Sequence, residues 1–322
     1  MACLWWATRE LLQDPDALTQ IRDAFARADY GMLPAMLNGV AAFYLLKAWR
    51  WRLLLKPVGD FRTVRDLLPY VMIGFAANNV APARVGELIR VYWFSRRLRV
   101  PLASVVSTVV LERVLDALTI LLILGAGLAF VPRVDPDVRR GALVLAIIVA
   151  ALVTSALAYV FWTRPFVALA EAILVRVPLL PERLRTKVAS MLEAGAAGLA
   201  ALKEPRLLGG IFATSLAQWL INGALMYVAL LSFGVRVDPL VTAILQGVAA
   251  MAVAVPSSPG YFGVVQAAFM SVLKLFTDDQ ANVFAASVYY HLAQYIPVTL
   301  VGLYYFNTTG LKLADVNDTL RT

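Results

Sequence analysis

The chain has 322 residues, of which 61% are hydrophobic and 16% charged, and its mean hydropathy is +0.73. This composition excludes a soluble globular protein and predicts an all-α polytopic membrane protein, because the chain contains several apolar runs as long as the roughly 17–25 residues that a spanning helix needs. The formal net charge of +8 indicates basic cytoplasmic loops, and we do not expect nucleic-acid binding.

The first segments predict an amphipathic region followed by a membrane span. Residues 1–30 mix acids and bases with apolar residues at helical spacing, which is typical of surface helices. Residues 31–55 form the first span, which ends in the sequence KAWRWRLLLK. We interpret the aromatic and basic residues there as interfacial anchors at the cytoplasmic end of the span: Lys47, Trp49, Arg50, Trp51, Arg52 and Lys56.

The stretch NNVAPARVGELIR, residues 78–90, is polar although it follows a strongly apolar run. That run, residues 67–77, has only about eleven residues and is too short to cross a bilayer. The basic residues Arg96, Arg97 and Arg99 come soon afterwards and indicate a return to the cytoplasm. We therefore predict a re-entrant helical hairpin with its tip near the membrane midplane and a break containing Pro82 and Gly86.

The remaining chain predicts four further spans and a second broken segment. The predicted spans cover residues 101–131, 141–162, 207–233 and 281–306, and a basic segment with an amphipathic helix at 184–202 precedes the third of these. Residues 240–255 and 264–276 are two short apolar helices separated by VPSSPGYFG. Residues 31–306 thus form one transmembrane domain, and residues 307–322 form a short cytoplasmic tail.

The two broken segments resemble each other. Pro82 and Gly86 have the same spacing as Pro259 and Gly263, and each segment is followed by a long helix with polar residues near its centre. By the predicted topology the first hairpin enters from the cytoplasm and the second from outside. We predict inverted repeats with two opposed re-entrant helical hairpins, a design that many transporters use to build a midplane site. The alternative is a chance recurrence of short apolar segments. The predicted breaks are at Pro82, Gly86, Pro256, Pro259, Gly260 and Gly263.

The sequence ERVLD in the helix after the first hairpin places charges deep in the membrane. Glu112 and Asp116 are four residues apart and share one helix face, while Arg113 points away from it. An unpaired charge at this depth costs about 2.5–3.5 kcal/mol. These charges therefore either line a cavity or form an ion-pair lock with the hairpin through Arg84 or Glu87. Ser104, Thr108 and Thr119 extend the acidic face.

Polar residues that indicate a functional site less strongly lie in the second half of the chain. His291 and Gln294 share a face of the last span, where a single histidine is either a proton carrier or a satisfied packing residue. Other polar residues at helical depth predict an interior shared by several helices: Thr214, Gln218, Asn222, Gln246, Gln266, Ser287 and Tyr295.

Metal and cofactor chemistry has little support in the sequence. Cys3 is the single cysteine and His291 the single histidine, which excludes disulfides and cysteine or multi-histidine metal sites. The chain has no phosphate-binding loop, dinucleotide fingerprint or nucleophile elbow. We expect no metal, no cofactor and no enzymatic activity.

The motifs PARVGELIR and LERVLD, followed by VPSSPGYFGVVQAAF, resemble the flippase-like membrane domain of the lysylphosphatidylglycerol synthase family, and KAWRWRLLL resembles the end of that family's first span. The resemblance covers residues 30–306. That family usually begins with another membrane helix, of which only residues 3–7 remain here, and the soluble aminoacyl-transferase domain does not follow. We therefore expect a stand-alone membrane domain whose first helix is missing.

The resemblance implies a multi-pass protein of a bacterial inner (plasma) membrane that moves a phospholipid or lipid-linked headgroup between leaflets. Phosphate would contact Arg84 and Arg90, since arginine suits phosphate geometry. The candidate substrate-binding residues are Asn78, Asn79, Arg84, Glu87, Arg90, Glu112, Arg113, Asp116, His291 and Gln294.

Three other interpretations stay open at this stage. The chain could be a non-catalytic membrane partner of a separate lipid-modifying enzyme or glycosyltransferase, or a membrane enzyme that modifies a lipid headgroup. It could also be a relative of other transporters with re-entrant hairpins, such as the DedA type. A homo-oligomer is compatible with each.

Overall fold

A computed structural model describes residues 15–61, 63–81, 85–131, 204–254 and 259–310, with isolated positions between 140 and 201. Every regular element in these ranges is helical, which confirms the all-α class. Apart from isolated positions, the predicted segments 141–162 and 184–202 lie outside the described residues, as do Pro82, Arg84 and Pro256. The α-helices are α1 (Ala17–Arg27), α2 (Leu33–Leu55), α3 (Leu68–Val80), α4 (Val85–Leu98), α5 (Leu102–Phe130), α6 (Pro205–Ser232), α7 (Val241–Ala254), α8 (Val264–Leu273) and α9 (Gln280–Thr308).

Four of these helices have the length of membrane spans. Helices α2, α5, α6 and α9 contain 23, 29, 28 and 29 residues, so each is roughly 35–44 Å long at 1.5 Å per residue. The segments Tyr30–Leu55 and Pro205–Ser232 are also apolar enough to cross a membrane by composition. Large apolar side chains on the outer faces are exposed, among them Leu45, Leu122, Phe130, Leu220 and Leu300, as expected for a lipid-facing surface.

The helices pack in two corresponding sets. Helix α3 packs against α4 and α9, and in the same way α7 packs against α8 and α5. Helices α2 and α6 pack against each other, and both contact α5 and α9. The contacts made by α2, α3, α4 and α5 therefore recur, in the same chain order, among α6, α7, α8 and α9.

The first helix pair, α3 and α4, is held by a close backbone crossing. A Cβ atom on Gly86 would collide with the carbonyl oxygen of Gly74 and would lie 2.8 Å from the Asn78 side-chain oxygen. The Asn78 Oδ1 accepts a hydrogen bond from the Gly86 backbone N–H at 2.8 Å. Gly86 lies in the first turn of α4, directly after the interruption between the two helices, and its lack of a side chain permits the crossing. Helix α3 ends at Val80, and α4 begins at Val85.

The second helix pair, α7 and α8, is separated by the predicted glycine break. Gly260 and Gly263 have φ angles of 65° and 87°, in the left-handed region that glycine adopts without strain. The Gly263 N–H donates to the Gln266 side chain at 2.8 Å, which caps α8. Pro259 belongs to the short 3-10 turn Pro259–Tyr261 between the two helices.

The two breaks lie next to each other. The turn Pro259–Tyr261 contacts α3, and a Cβ atom on Gly260 would lie 3.0 Å from the carbonyl oxygen of Asn79. The Asn79 amide in turn donates to Thr299 Oγ1 of α9 at 2.9 Å. The end of the first helix pair is therefore joined to both the second break and the last helix.

Exposed charges differ between the two ends of the bundle. At one end Lys56, Arg65, Arg96 and Arg97 are exposed, and Arg97 donates to the Thr309 carbonyl oxygen at 2.8 Å. At the opposite end, which includes α1, the exposed charges of the described residues nearly balance. They are Asp16, Asp29, Asp238, Asp278 and Asp279 against Arg22, Arg27, Arg236 and Lys274. The basic end is the one predicted to face the cytoplasm.

Three of the predicted interfacial anchors are buried instead. Lys47 is 3% exposed, while Arg50 and Trp51 are fully buried; by contrast Trp49 is 49% exposed. The prediction was wrong for Lys47, Arg50 and Trp51 because their face of α2 is turned toward α5, where carboxylates compensate the two cations.

Candidate functional site

The site is built on two carboxylates of α5. Glu112 is fully buried and Asp116 is 4% exposed, and the two lie one helical turn apart on one face, as predicted. Ser104, Thr108 and Thr119 continue this buried face. The surrounding helix is strongly apolar, so these carboxylates require partners from neighbouring helices.

Helix α2 supplies two of the partners. Lys47 Nζ lies 3.5 Å from Glu112 Oε1 and 3.3 Å from Asp116 Oδ2. Arg50 Nη1 lies 2.8 Å from Asp116 Oδ1, and its Nη2 lies 3.4 Å from Glu112 Oε1 without hydrogen-bond geometry. Both cations thus contact both carboxylates.

Helix α4 supplies Arg90, which is 2% exposed. Its Nη2 donates a short hydrogen bond to Glu112 Oε2. The Arg90 guanidinium also lies over the Trp51 ring, 4.2 Å from the ring centroid, in a cation–π arrangement that stabilises a desolvated cation. Trp51 is itself fixed, because its Nε1–H donates to Thr108 Oγ1 at 3.1 Å.

Arg113 and Glu87 form the more accessible edge of the site. Their side chains are 32% and 23% exposed, and Arg113 Nε lies 3.6 Å from Glu87 Oε1. Arg113 also reaches Glu112 Oε1 at 3.3 Å and Asp116 Oδ2 at 3.5 Å. The predicted pairing between Arg113 and an acid on the first helix pair is therefore present.

These seven side chains, which we call the charge cluster, carry an excess of one positive charge. The four cations and three carboxylates sum to +1. Counting along the helices at 1.5 Å per residue, Asp116 lies about 21 Å and Arg50 about 8 Å from the basic end. Asp116 is the middle residue of α5, so the cluster extends from the middle of that helix toward the basic end. Its members are Lys47, Arg50, Glu87, Arg90, Glu112, Arg113 and Asp116.

Helix α6 completes the site with neutral groups. Gln218 Nε2 and Trp219 Nε1 each donate to Asp116 Oδ1 at 2.8 Å. Arg50 Nη1 donates to Ser215 Oγ at 3.0 Å. Asp116 is therefore held by directed hydrogen bonds as well as by charge, and it fixes Arg50 in position.

The Lys47 ammonium is also surrounded by aromatic rings. Its Nζ lies 5.4 Å from the Phe43 ring centroid, 5.3 Å from that of Phe75 and 5.9 Å from that of Trp219. Aromatic faces attract a desolvated cation. The lysine is thus kept between two carboxylates and three rings.

Several guanidinium N–H groups of the cluster have no hydrogen-bond partner within the described part of the chain. They are Nε and Nη2 of Arg50, Nε of Arg90 and Nε of Arg113. Arg50 Nη2 and Arg113 Nε face carboxylate oxygens at 3.4 and 3.6 Å. Buried donors are normally satisfied, so the Nε groups of Arg50 and Arg90 are the ones available to an acceptor that enters the cluster. A phosphate oxygen has the required charge and geometry.

A second polar group links α9 to the second break. His291 Nε2 lies 2.8 Å from the Gly260 carbonyl oxygen, which can only accept, so Nε2 donates. The Gln266 amide lies 3.3 Å from His291 Nδ1 and uses its oxygen to bond Gly263 N–H. Both ring nitrogens of His291 therefore hold the turn in place, and the geometry favours the packing interpretation.

The predicted site residues separate into two groups. Glu87, Arg90, Glu112, Arg113 and Asp116 come together in the charge cluster. Asn78, Asn79 and His291 instead make hydrogen bonds that hold the helix pairs, and Gln294 lies half-buried on α9. Arg84 lies outside the described residues.

Sequence reasoning missed Lys47, Arg50, Trp51 and Trp219 as members or supports of the site. A signal was available for the two cations. They precede the end of α2 by roughly 12 Å and 8 Å, so they lie deeper than Arg52 and Lys56. Their spacing of three places them on one helix face, as the spacing of four does for the acidic pair of α5. For the tryptophans the sequence held no signal that distinguishes a packed ring from an interfacial one.

Comparison with known proteins identifies relatives of the whole chain. The model of the family described as "Lysylphosphatidylglycerol synthase TM region" matches residues 2–302. A UPF0104 membrane protein of Methanothermobacter thermautotrophicus is 26% identical over 323 residues, covering 92% of each chain. Another from Methanocaldococcus jannaschii is 25% identical over 231 residues, covering 71% of this chain and 92% of the relative.

A third relative is longer. The protein named "Glycosyltransferase AglD" of Haloferax volcanii is 29% identical over 304 residues, which cover 84% of this chain but 48% of the relative. The chain thus spans about half the length of that protein. No solved structure matches the chain.

Proposed function

Because the chain belongs to the lysylphosphatidylglycerol synthase transmembrane family, we propose that it translocates a lipid with a phosphate-bearing headgroup between the two leaflets of a membrane. The lipid tails stay in the bilayer while the headgroup passes through the polar interior of the helix bundle. The chain itself carries out no chemical reaction in this proposal.

The excess positive charge of the charge cluster carries this proposal. An uncompensated charge away from water is costly, and one monoanionic group would neutralise the cluster. The phosphodiester of a phospholipid is such a group, and Arg50 and Arg90 offer buried N–H donors without partners within the described residues.

The packing of the two helix sets supports an alternating-access arrangement. If α2 to α5 and α6 to α9 are inverted repeats, α3–α4 and α7–α8 are opposed re-entrant hairpins whose tips meet at Asn79 and Gly260. In transporters of this design the site lies at the interface of the repeats. The charge cluster fits this description, because α2, α4 and α5 meet α6 there.

We propose that the protein is a multi-pass protein of the cytoplasmic membrane, the inner membrane in a bacterium, with its basic end in the cytoplasm. The exposed cations Lys56, Arg65, Arg96 and Arg97 lie at that end, as the positive-inside rule requires. The charge cluster is then reached from the cytoplasmic leaflet, at the edge formed by Arg113 and Glu87.

Transport in proteoliposomes tests the function. We expect purified protein to move a fluorescent phospholipid between leaflets, read out by a membrane-impermeant quencher, and Arg90→Gln to lower the rate at least tenfold. The matched control is Arg96→Gln, on the same helix but exposed and bonded only to Tyr92 among the described residues. Equal rates for Arg90→Gln and wild type would contradict the proposal, and mass spectrometry of the lipid would reveal any modification.

A second candidate function is supported by the relative named as a glycosyltransferase. The chain matches about half of that protein, so it can correspond to the membrane part that serves a separate lipid-modifying enzyme. Co-purification with such an enzyme, together with product formation only when both are present, would support this candidate. Lipid translocation by the purified chain alone would favour the first.

A further inference from the structure

We propose that Lys47 is the proton-binding residue of the charge cluster, and that the headgroup phosphate stays bound only while Lys47 carries its proton. The inference rests on the proposed function, because it explains how the site releases the phosphate that it binds. It also gives Lys47 a role in transport that differs from the role of the arginines.

The first observation is that Lys47 is the excess cation of the charge cluster. Without it, three arginines face three carboxylates and their charges sum to zero. The charge of +1 that attracts a phosphate monoanion therefore depends on one proton of Lys47. The six balanced residues are Arg50, Arg90 and Arg113 against Glu87, Glu112 and Asp116.

The second observation is the residue type. An arginine does not lose its proton in a protein, whereas a buried lysine readily does. The carboxylates stay ionised near neutral pH because each one lies beside an arginine. These pairs are Glu112 with Arg90, Asp116 with Arg50 and Glu87 with Arg113. Lys47 is therefore the member of the cluster that can change its charge.

The third observation is the length of the contacts that Lys47 makes. Its Nζ lies 3.3 Å from Asp116 Oδ2 and 3.5 Å from Glu112 Oε1, which is longer than the roughly 2.7–2.9 Å of a charge-assisted hydrogen bond. By contrast, Arg50 Nη1 lies 2.8 Å from Asp116, and Arg90 donates a short hydrogen bond to Glu112. Lys47 can thus become neutral while both carboxylates keep an arginine partner.

The other helices packed against α2 bring no further charge to Lys47 within the described residues. Helices α3 and α9 contain no Asp, Glu, Lys or Arg, and α6 has only Arg206, which is exposed. His291 of α9 bonds the Gly260 carbonyl oxygen instead. The charged groups that face Lys47 are Arg50 of α2 and Glu112, Arg113 and Asp116 of α5, with Arg90 and Glu87 of α4 beyond them.

A route for the proton leads from Lys47 to the accessible edge of the cluster. The two oxygens that Lys47 contacts, Glu112 Oε1 and Asp116 Oδ2, are also contacted by Arg113 at 3.3 and 3.5 Å. Arg113 is 32% exposed, so water at this edge lies one side chain away from those oxygens. On release, the Lys47 ammonium gives one proton to water and becomes a neutral amine, while the carboxylates stay ionised.

Phosphate binding and protonation of Lys47 favour each other for an electrostatic reason. With Lys47 charged, the cluster and one phosphate monoanion sum to zero. With Lys47 neutral, the same complex carries a charge of −1, which is costly away from water. Phosphate binding therefore takes up a proton wherever Lys47 was neutral, and loss of that proton releases the phosphate.

Binding of a short-chain anionic lipid at two pH values tests the inference. The probe is dihexanoyl phosphatidylglycerol, whose phosphodiester stays monoanionic throughout. We expect the full-length protein in detergent to bind it about tenfold more weakly near pH 9.5 than near pH 6, because one linked proton changes an affinity by up to about tenfold per pH unit. Calorimetry near pH 9.5 in two buffers with different heats of ionisation should show uptake of up to about one proton per lipid bound.

Three variants make the test specific to Lys47. Lys47→Met fixes the neutral state with a side chain that packs well against aromatic rings, and we expect weak binding at both pH values without proton uptake. Lys47→Arg fixes the charged state, and we expect equal binding at both pH values. If the larger arginine prevents folding, Lys47→Met alone decides the test. Lys56→Met, exposed at the end of α2, is the matched control and keeps the pH dependence of wild type.

The outcomes separate the role of Lys47 from the proposed function. An unchanged wild-type affinity between the two pH values, or a pH dependence that persists in Lys47→Met, would overturn the role of Lys47. Proton-linked binding without lipid translocation in proteoliposomes would support this role and refute the transport function. Translocation together with binding that does not depend on pH would do the opposite.

Discussion

At the scale of single residues, the central fact is that one carboxylate meets four cations. Glu112 lies within 3.5 Å of Lys47, Arg50, Arg90 and Arg113. Asp116 differs, because neutral donors on Gln218 and Trp219 also hold it. Glu112 is thus the main electrostatic partner of the cations, while Asp116 positions Arg50.

Glu112→Gln is expected to destabilise the protein strongly. The glutamine keeps the shape but leaves the buried cluster with a charge of +2, and removing one partner of a buried ion pair costs about 3–5 kcal/mol. Thermal unfolding in detergent measures the loss. Glu87→Gln is the control, since its half-buried pair with Arg113 contributes about 1 kcal/mol or less. Equal effects of both variants would contradict this account.

His291→Gln is expected to lower stability without altering the pH dependence of transport. Both ring nitrogens hold the second break, and losing one such contact costs roughly 1–3 kcal/mol. A proton carrier would behave differently, because its replacement would flatten the rate profile between about pH 6 and pH 8. Transport assays across this range distinguish the two roles.

At the scale of elements, glycines decide how closely helices approach. Gly86 and Gly74 allow α3 and α4 to cross backbone against backbone, and Gly302 does the same between α9 and α3, where a Cβ atom would collide with Ala76. These crossings bring Arg90 of α4 close to α5 and place the end of α3 beside the second break. The position of the site therefore depends on residues that take no part in it.

Gly86→Ala is expected to weaken the protein and to lower translocation. The new methyl group would meet the Gly74 carbonyl oxygen, which cannot move without separating α3 from α4, and overpacking of this kind costs about 1–3 kcal/mol. Gly125→Ala in α5 is the control. Its Cβ atom would meet no atom of the described residues within 4 Å, and alanine favours the helix by up to about 1 kcal/mol. The thermal unfolding midpoints and transport rates of Gly86→Ala and Gly125→Ala are the measurements to compare.

At the scale of the whole molecule, exposed cations are in excess at one end of the described bundle only. They lie in the loops next to α2, α4 and α5, whereas at the other end Asp238, Asp278 and Asp279 lie near the exposed cations Arg236 and Lys274. The positive-inside rule therefore predicts that the basic end faces the cytoplasm. The proposed transport begins from that side, because the charge cluster extends from the middle of α5 toward the basic end.

Cysteine labelling tests this orientation. In a Cys3→Ser background, which removes the single native cysteine, Asp238→Cys is expected to react with a membrane-impermeant maleimide in intact cells. Asp60→Cys, exposed at the basic end, is expected to react only after permeabilisation. The reverse pattern would overturn the orientation, and the cysteine-free protein controls for background labelling.

The sequence predicted the helices well, for a physical reason. Apolar length and helix-breaking residues are local properties, so the spans now seen as Leu33–Leu55, Leu102–Phe130, Pro205–Ser232 and Gln280–Thr308 were predicted within a few residues. The shared face of Glu112 and Asp116 followed from helical periodicity alone. The family, too, was evident from short motifs and is confirmed by the match over residues 2–302.

The tertiary structure decided which partners those carboxylates have. Lys47 and Arg50 are residue types that commonly anchor a membrane span at the interface. Only the packing of α2 against α5 and α6 shows that they point inward. Gly86 has the local signal of a break, yet its role is set by Gly74 across the helix pair. Local sequence encodes where a helix begins and ends, whereas the direction of a buried charge depends on contacts between residues far apart in the chain.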